Sequence, residues 1–165
     1  MQTETIHAAT ATMIKMTFDR WNTQLDNFDK ALNSFTDEQL KKEIAPGKNT
    51  GIYLLGHLIA VHDHMLPLIG ISEKKYPELT KPFLELPDKS GADFPSAQAL
   101  RELWKNQKAH LHEVFNQLTP EQWFKKHTAA SDEDFVKEPH RNKLNIIVTR
   151  TSHLSYHLGQ FILLK

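Results

Sequence analysis

Three observations predict an all-α fold: a four-helix up-and-down bundle with short extra helices and a long loop between its second and third long helices. Helical periodicity dominates the chain, and no convincing period-two strand interrupts it. The apolar stripes fall into four segments of roughly 20 to 30 residues, enough for a bundle about 30 Å or more long. At 165 residues the whole chain, 1–165, fits one domain with a sizeable core.

The first long helix is expected over about residues 5–34, where Ile14, Phe18, Trp21, Leu25, Phe28 and Leu32 recur at steps of three and four. The second runs from about Asn49 to Ile69, with Ile52, Leu55, Leu58, Ile59, Leu66 and Ile69 apolar. A third begins near Pro95 and Ser96, a plausible N-cap region, and carries Leu100, Leu103, Leu111, Val114 and Leu118. The fourth spans about Lys143 to Lys165 through Ile147, Leu154, Leu158, Phe161 and Leu164. Between the second and third lies a connection from about Gly70 to Phe94, rich in Pro, Lys, Glu and Asp. Loops this long are uncommon unless functional or folded onto the surface, and this one is placed to cover one end of the bundle.

The punctuation between helices repeats. Thr36-Asp37-Glu38-Gln39 and Thr119-Pro120-Glu121-Gln122 both read as capping boxes, each opening a short helix after a long one. Pro46-Gly47-Lys48-Asn49 matches Pro139-His140-Arg141-Asn142, and Asn49 and Asn142 are read as N-caps of the next long helices. Gly56-His57-Leu58 then aligns with Ser152-His153-Leu154. Three matched features in one order imply two pseudo-equivalent halves, with His57 facing His153 and Val61 standing where the counterpart of His157 would be.

Composition narrows the function. With 20 basic and 20 acidic residues, bulk charge gives no support to a duplex-binding surface or a polybasic membrane patch. No apolar run approaches the roughly 20 residues a membrane span needs. The stretch Met1-Gln2-Thr3-Glu4-Thr5 lacks the basic and apolar regions of a signal peptide, so a cytoplasmic location is expected. There are no cysteines, which removes disulfides, thiolate metal sites and cysteine nucleophiles. Ten histidines are many for this length.

His153 and His157, four apart on a helix, point the same way and suit a shared metal ion. A zincin would need Glu directly after the first His; Leu154 stands there and argues against peptide hydrolysis. His57 lies in the apolar run Ile52–Val61. Alone it would read as a hydrogen-bonded structural residue, but beside the facing pair it reads as a third ligand. Three protein imidazoles with an open fourth position is the catalytic arrangement. Gln160 and Tyr156, each one turn beyond a ligand, are placed to orient it. Arg150, one turn before His153, would hold an anionic substrate or simply be solvated. Gly159 would permit close helix approach. His64 reads as a capping or solvated residue, or as lining an access path. His62 is expected to be exposed, and His7, His110, His112, His127 and His140 are expected at the surface, His140 near the pocket mouth.

Gly56-His57-Leu58 with His153-x3-His157-x-Gly159-Gln160, and the Pro-x-Lys/Arg-Asn lead-ins, resemble the DinB-like family of metal-dependent four-helix bundles over nearly the whole chain. That resemblance implies that His57, His153 and His157 bind a divalent metal, zinc or nickel, and that the bundle forms homodimers. Some such proteins transfer a low-molecular-weight thiol onto small electrophiles. The absence of Cys is compatible with a thiol arriving on a cosubstrate. A metal-dependent hydrolase and a non-catalytic, dimeric metal-binding bundle remain as alternatives.

Overall fold

The computed structural model describes residues 2–164, with side chains from His7 to Leu164; Met1 and Lys165, the latter the expected end of the fourth helix, lie outside the described residues. Four long helices form: α1 (Gln2–Asn33), α3 (Gly51–Asp63), α5 (Ala97–Phe115) and α8 (Lys143–Phe161). Short helices punctuate them: α2 (Asp37–Leu40), α4 (Met65–Leu68), α6 (Pro120–Trp123) and α7 (Asp132–Lys137). No named β-strand forms among the described residues, so the all-α bundle stands as expected.

The ends of these helices are set locally. Thr36 and Thr119 each close a complete capping box with Gln39 and Gln122. Ser96 caps α5 through the amide of Ala99, and Asn142 caps α8 through that of Asn145. One assignment changes: α3 is capped by Thr50, whose hydroxyl accepts from Tyr53 N–H, and not by Asn49. Asn49 instead gives its carbonyl to Ile44 N–H at 3.0 Å, in a small antiparallel bridge just before α3. The same device precedes α8, where His127 N–H bonds Arg141 O and Lys143 N–H bonds Lys125 O.

Directions follow from which residues meet. Phe28 and Phe35 pack on Phe161, while Met13 and Thr17 border Leu144 and Val148, so α1 and α8 run parallel. A Cβ on Gly51 would meet Leu164, and one on Gly70 would approach Lys143, so α3 runs against α8. Arg101 reaches Leu32 O and Phe35 O while Phe115 packs on Phe18, so α5 runs against α1. The long helices therefore go up, down, down, up, and the alternation pauses between α3 and α5.

That pause explains the long connection. Two neighbouring helices of one direction need a return across the full bundle length. Residues 70–96 make it as a strap along the flank of α3, rather than as a cover over one end. A 3₁₀ turn (Pro77–Leu79) and a π turn (Lys81–Glu85) shape the strap. Asp63 anchors its lower part, its buried carboxylate accepting Lys75 N–H at 2.9 Å and Tyr76 N–H at 2.8 Å. Higher up, Tyr53 donates its hydroxyl to Leu86 O at 2.8 Å, and Asp88 accepts Thr50 N–H at 2.6 Å. Phe83, fully buried, presses its ring on Gly56, where an added Cβ would sit 2.2 Å from it. Gly56 is thus the glycine that permits a close approach. Gly159, read from sequence in that role, faces open space.

One apolar core joins all four long helices, through Trp21 and Phe28, Leu55 and Leu58, Leu100 and Trp104, and Leu154 and Phe161. Burying each such side chain stabilises the fold by about 1.5–3 kcal/mol before entropic costs. With α5, α8 and the strap packed around it, α3 is covered on nearly every side. This overturns the expected exposure of His62, which is 1 % exposed and packed between Trp21 and Trp104. An apolar run on all faces of a helix signals such burial, and Ile52–Val61 carries it.

Candidate metal centre

His57 from α3 and His153 and His157 from α8 converge on the seam between the two helices. His57 Nε2 lies 3.3 Å from His153 Nε2, and His157 Nε2 lies 3.0 Å from the same atom. One ring nitrogen from each of the three falls within 4.8 Å of the other two. Two nitrogens bound to one tetrahedral zinc at about 2.0–2.1 Å stand about 3.3 Å apart. The two close separations are near that value, and the three residues could hold one metal ion.

The outer nitrogens orient two of the rings. His57 Nδ1 lies 2.9 Å from the carbonyl oxygen of Phe83. A carbonyl only accepts, so Nδ1 carries the proton and Nε2 presents a lone pair. His157 Nδ1 lies 2.8 Å from Gln160 Oε1, whose amide nitrogen donates to the Tyr156 hydroxyl at 3.1 Å. The same logic frees His157 Nε2 as a donor atom. Buried partners of this kind fix tautomer and ring angle for metal binding. Among the described residues His153 Nδ1, which is buried, has no hydrogen-bond partner.

Burial is the largest cause of the lowered pKa of all three rings. For His57 the bond to Phe83 opposes it and the charge of Arg150 reinforces it. For His153 the neighbouring rings of His157 and His57, and then Arg150, add to burial and bring it to about 4. For His157 the bond to Gln160 opposes burial. At neutral pH the cluster is a set of uncharged imidazoles, the form a cation needs. The donor chemistry, spacing and tautomers all fit a divalent cation.

The other sequence candidates fall into place around it. Arg150 is half-buried one turn before His153, with its Nε out of water and unbonded. Tyr156 is 63 % exposed; its ring packs edge-on against His157 at 5.1 Å, and its hydroxyl accepts from Gln160. His64 is the C-cap of α3. His7, His112 and His140 are exposed, whereas His110 and His127 are half-buried. The Phe83 carbonyl is the contributor that sequence reasoning missed. A backbone oxygen leaves no side-chain signature, and only Gly56, which lets Phe83 come close, hinted at it.

The class defined by fold and site is an all-helical bundle with a three-imidazole cluster suited to a metal, placed on the seam between two antiparallel helices. A family model described as the DinB superfamily matches residues 20–161, and the chain belongs to that superfamily. No curated protein matches the chain.

Proposed function

We propose that His57, His153 and His157 hold one divalent cation, zinc or nickel, with a fourth position left to exchangeable ligands, and that the protein is a metal-dependent enzyme acting on small electrophiles. The observation that carries this reading is the convergence of three Nε2 atoms whose outer partners, Phe83 O and Gln160 Oε1, aim two of them inward. A bound cation would lower the pKa of a thiol or water at the open position and so supply a nucleophile at neutral pH. The chain itself has no cysteine, so a transferred thiol comes from a low-molecular-weight cosubstrate. Leu154, fully buried after His153, leaves no carboxylate base at the position where a zincin carries one. Thiol S-transfer is therefore the reaction we favour, with hydrolysis of a small substrate as the alternative.

Membership of the superfamily and the neutral, pre-oriented imidazoles support this reading. Among the described residues no helix is long and apolar enough to cross a membrane. We place the catalysis on a small molecule and the protein in the cytoplasm. The α1–α8 flank carries a groove of about 600 Å³ lined by Ala9, Met13, Met16 and Val148, with Met13 and Met16 more than half exposed. A second copy of the chain is the occupant we propose, giving a homodimer that sedimentation equilibrium would detect; a monomer at high concentration would reject it.

The deciding experiment measures metal content and turnover together. Purified protein reconstituted with zinc or nickel is assayed with several low-molecular-weight thiols and a small electrophile. One cation per chain and metal-dependent loss of thiol is the expected result. Protein that takes up no divalent cation rejects the metal centre, and a metal-loaded protein inert with every thiol but active with water selects hydrolysis.

A further inference from the structure

Arg150 is half-buried, and among the described residues its buried Nε has no acceptor. The other half-buried arginines are paired: Arg101 with Asp37 and two carbonyls, Arg141 with Asp134 and Glu138. Among the described residues Arg150 engages no carboxylate. A buried N–H without an acceptor is costly, and a ligand that supplies one would complete it.

Its position says where the ligand reaches. Arg150, His153 and His157 follow one another at steps of three and four on α8, so they share a face, and Arg150 is about 4.5 Å along the axis from His153. Across the seam the end of α3 and the strap bring a second cation. Asp63 pins the amides of Lys75 and Tyr76, which sets Lys74 beside the α3 C-cap residue His64. Among the described residues Lys74 donates only to the Thr80 hydroxyl, at 3.1 Å. The Asp63 carboxylate accepts from two backbone amides. Arg150 stands one turn from His153 on α8, and Arg150 and Lys74 both act on His64, where the Asp63 carboxylate opposes them.

We infer that Arg150 receives an anionic group, a carboxylate or its equivalent, on a small ligand whose other end occupies the open metal position, with Lys74 reinforcing the charge. The inference rests on the metal reading above and specifies the substrate or cosubstrate class: a molecule with a metal-seeking atom and an anion a few ångströms apart. The guanidinium fork suits a carboxylate held by two hydrogen bonds. Arg150 is thus a positioning residue for the ligand.

The test uses the full chain loaded with Co(II), whose visible spectrum reports ligands entering the metal position. Two probes are titrated: 3-mercaptopropionate, a thiol with a carboxylate, and 2-mercaptoethanol, a neutral thiol. The carboxylate probe should bind at least about tenfold tighter. Arg150→Gln should remove most of that preference in protein that still takes up one Co(II) per chain. Arg150→Lys, which keeps the charge but not the fork, should retain part of it, and Lys74→Gln should lose a smaller part. A preference equal in Arg150→Gln and wild type overturns the inference while the metal centre stands. Failure of wild-type protein to take up Co(II) overturns both.

Discussion

His57 and His153 meet Nε2 to Nε2 at 3.3 Å although they do not occupy equivalent positions in the two halves of the chain. Counted from the caps Thr50 and Asn142, His57 is the seventh residue of its helix and His153 the eleventh. By that count Val61, not His57, is the counterpart of His153. The repeat in the sequence is real in its capping boxes and bridges, and the site breaks it by one helical turn. Because α3 and α8 run in opposite directions, the seventh residue of one and the eleventh of the other meet across the seam.

Replacing any one ring is expected to abolish tight metal binding. His57→Ala, His153→Ala and His157→Ala should each leave substoichiometric cation after dialysis, measured by plasma emission. Gln160→Ala removes only the partner of His157 Nδ1 and should weaken affinity by about 10- to 100-fold. Equal stoichiometric retention in His57→Ala would show that α3 supplies no ligand.

Gly56→Ala should act on the metal through the strap. The added methyl collides with the Phe83 ring and must push it, and with it the carbonyl that holds His57. Overpacking of this kind costs about 1–3 kcal/mol, readable in urea melts. Metal affinity should fall alongside. Gly159→Ala meets nothing within 4 Å and serves as the control, with stability unchanged or slightly raised.

Asp63→Ala should loosen the strap at its foot. It leaves two backbone amides without their acceptor, a loss of about 2–4 kcal/mol. Hydrogen exchange should speed up at Lys75 and Tyr76 while α1 stays protected. Unchanged exchange at those two amides would show that the strap is held from elsewhere.

His62 sets an acid limit on stability. Burial, with smaller contributions from the rings of the cluster and Arg150, lowers its folded pKa to about 3 against 6.5 when unfolded. A group depressed on folding contributes stability that is present above the unfolded value and is lost as pH falls from about 6.5 toward 3. Between pH 7 and pH 5 the loss is about 2 kcal/mol. Urea unfolding of metal-free protein should show it, and His62→Leu should flatten the slope in that window. An unaltered slope in the variant would mean that other groups carry the acid sensitivity.

What was legible in the sequence was local. Thr36, Thr119, Ser96 and Asn142 act on amides three residues away, so their chemistry announces the helix starts. The histidine pair on α8 was legible for the same reason. The direction of α5, the course of the strap and the burial of His62 depend on partners dozens of residues distant, and periodicity alone carries no such information. Asn49 was misread because a bridge to Ile44 competes for its backbone, leaving Thr50 as the cap.

The seam between α3 and α8 joins residues 96 positions apart in the chain. A cation held there acts as a removable cross-link, and closing a loop of that size takes about 4–5 kcal/mol of conformational freedom from the unfolded chain. The ion that is proposed to activate a nucleophile is therefore also a clasp between the two halves of the protein. Removing such a cation would lower the stability of the fold as well as empty the site.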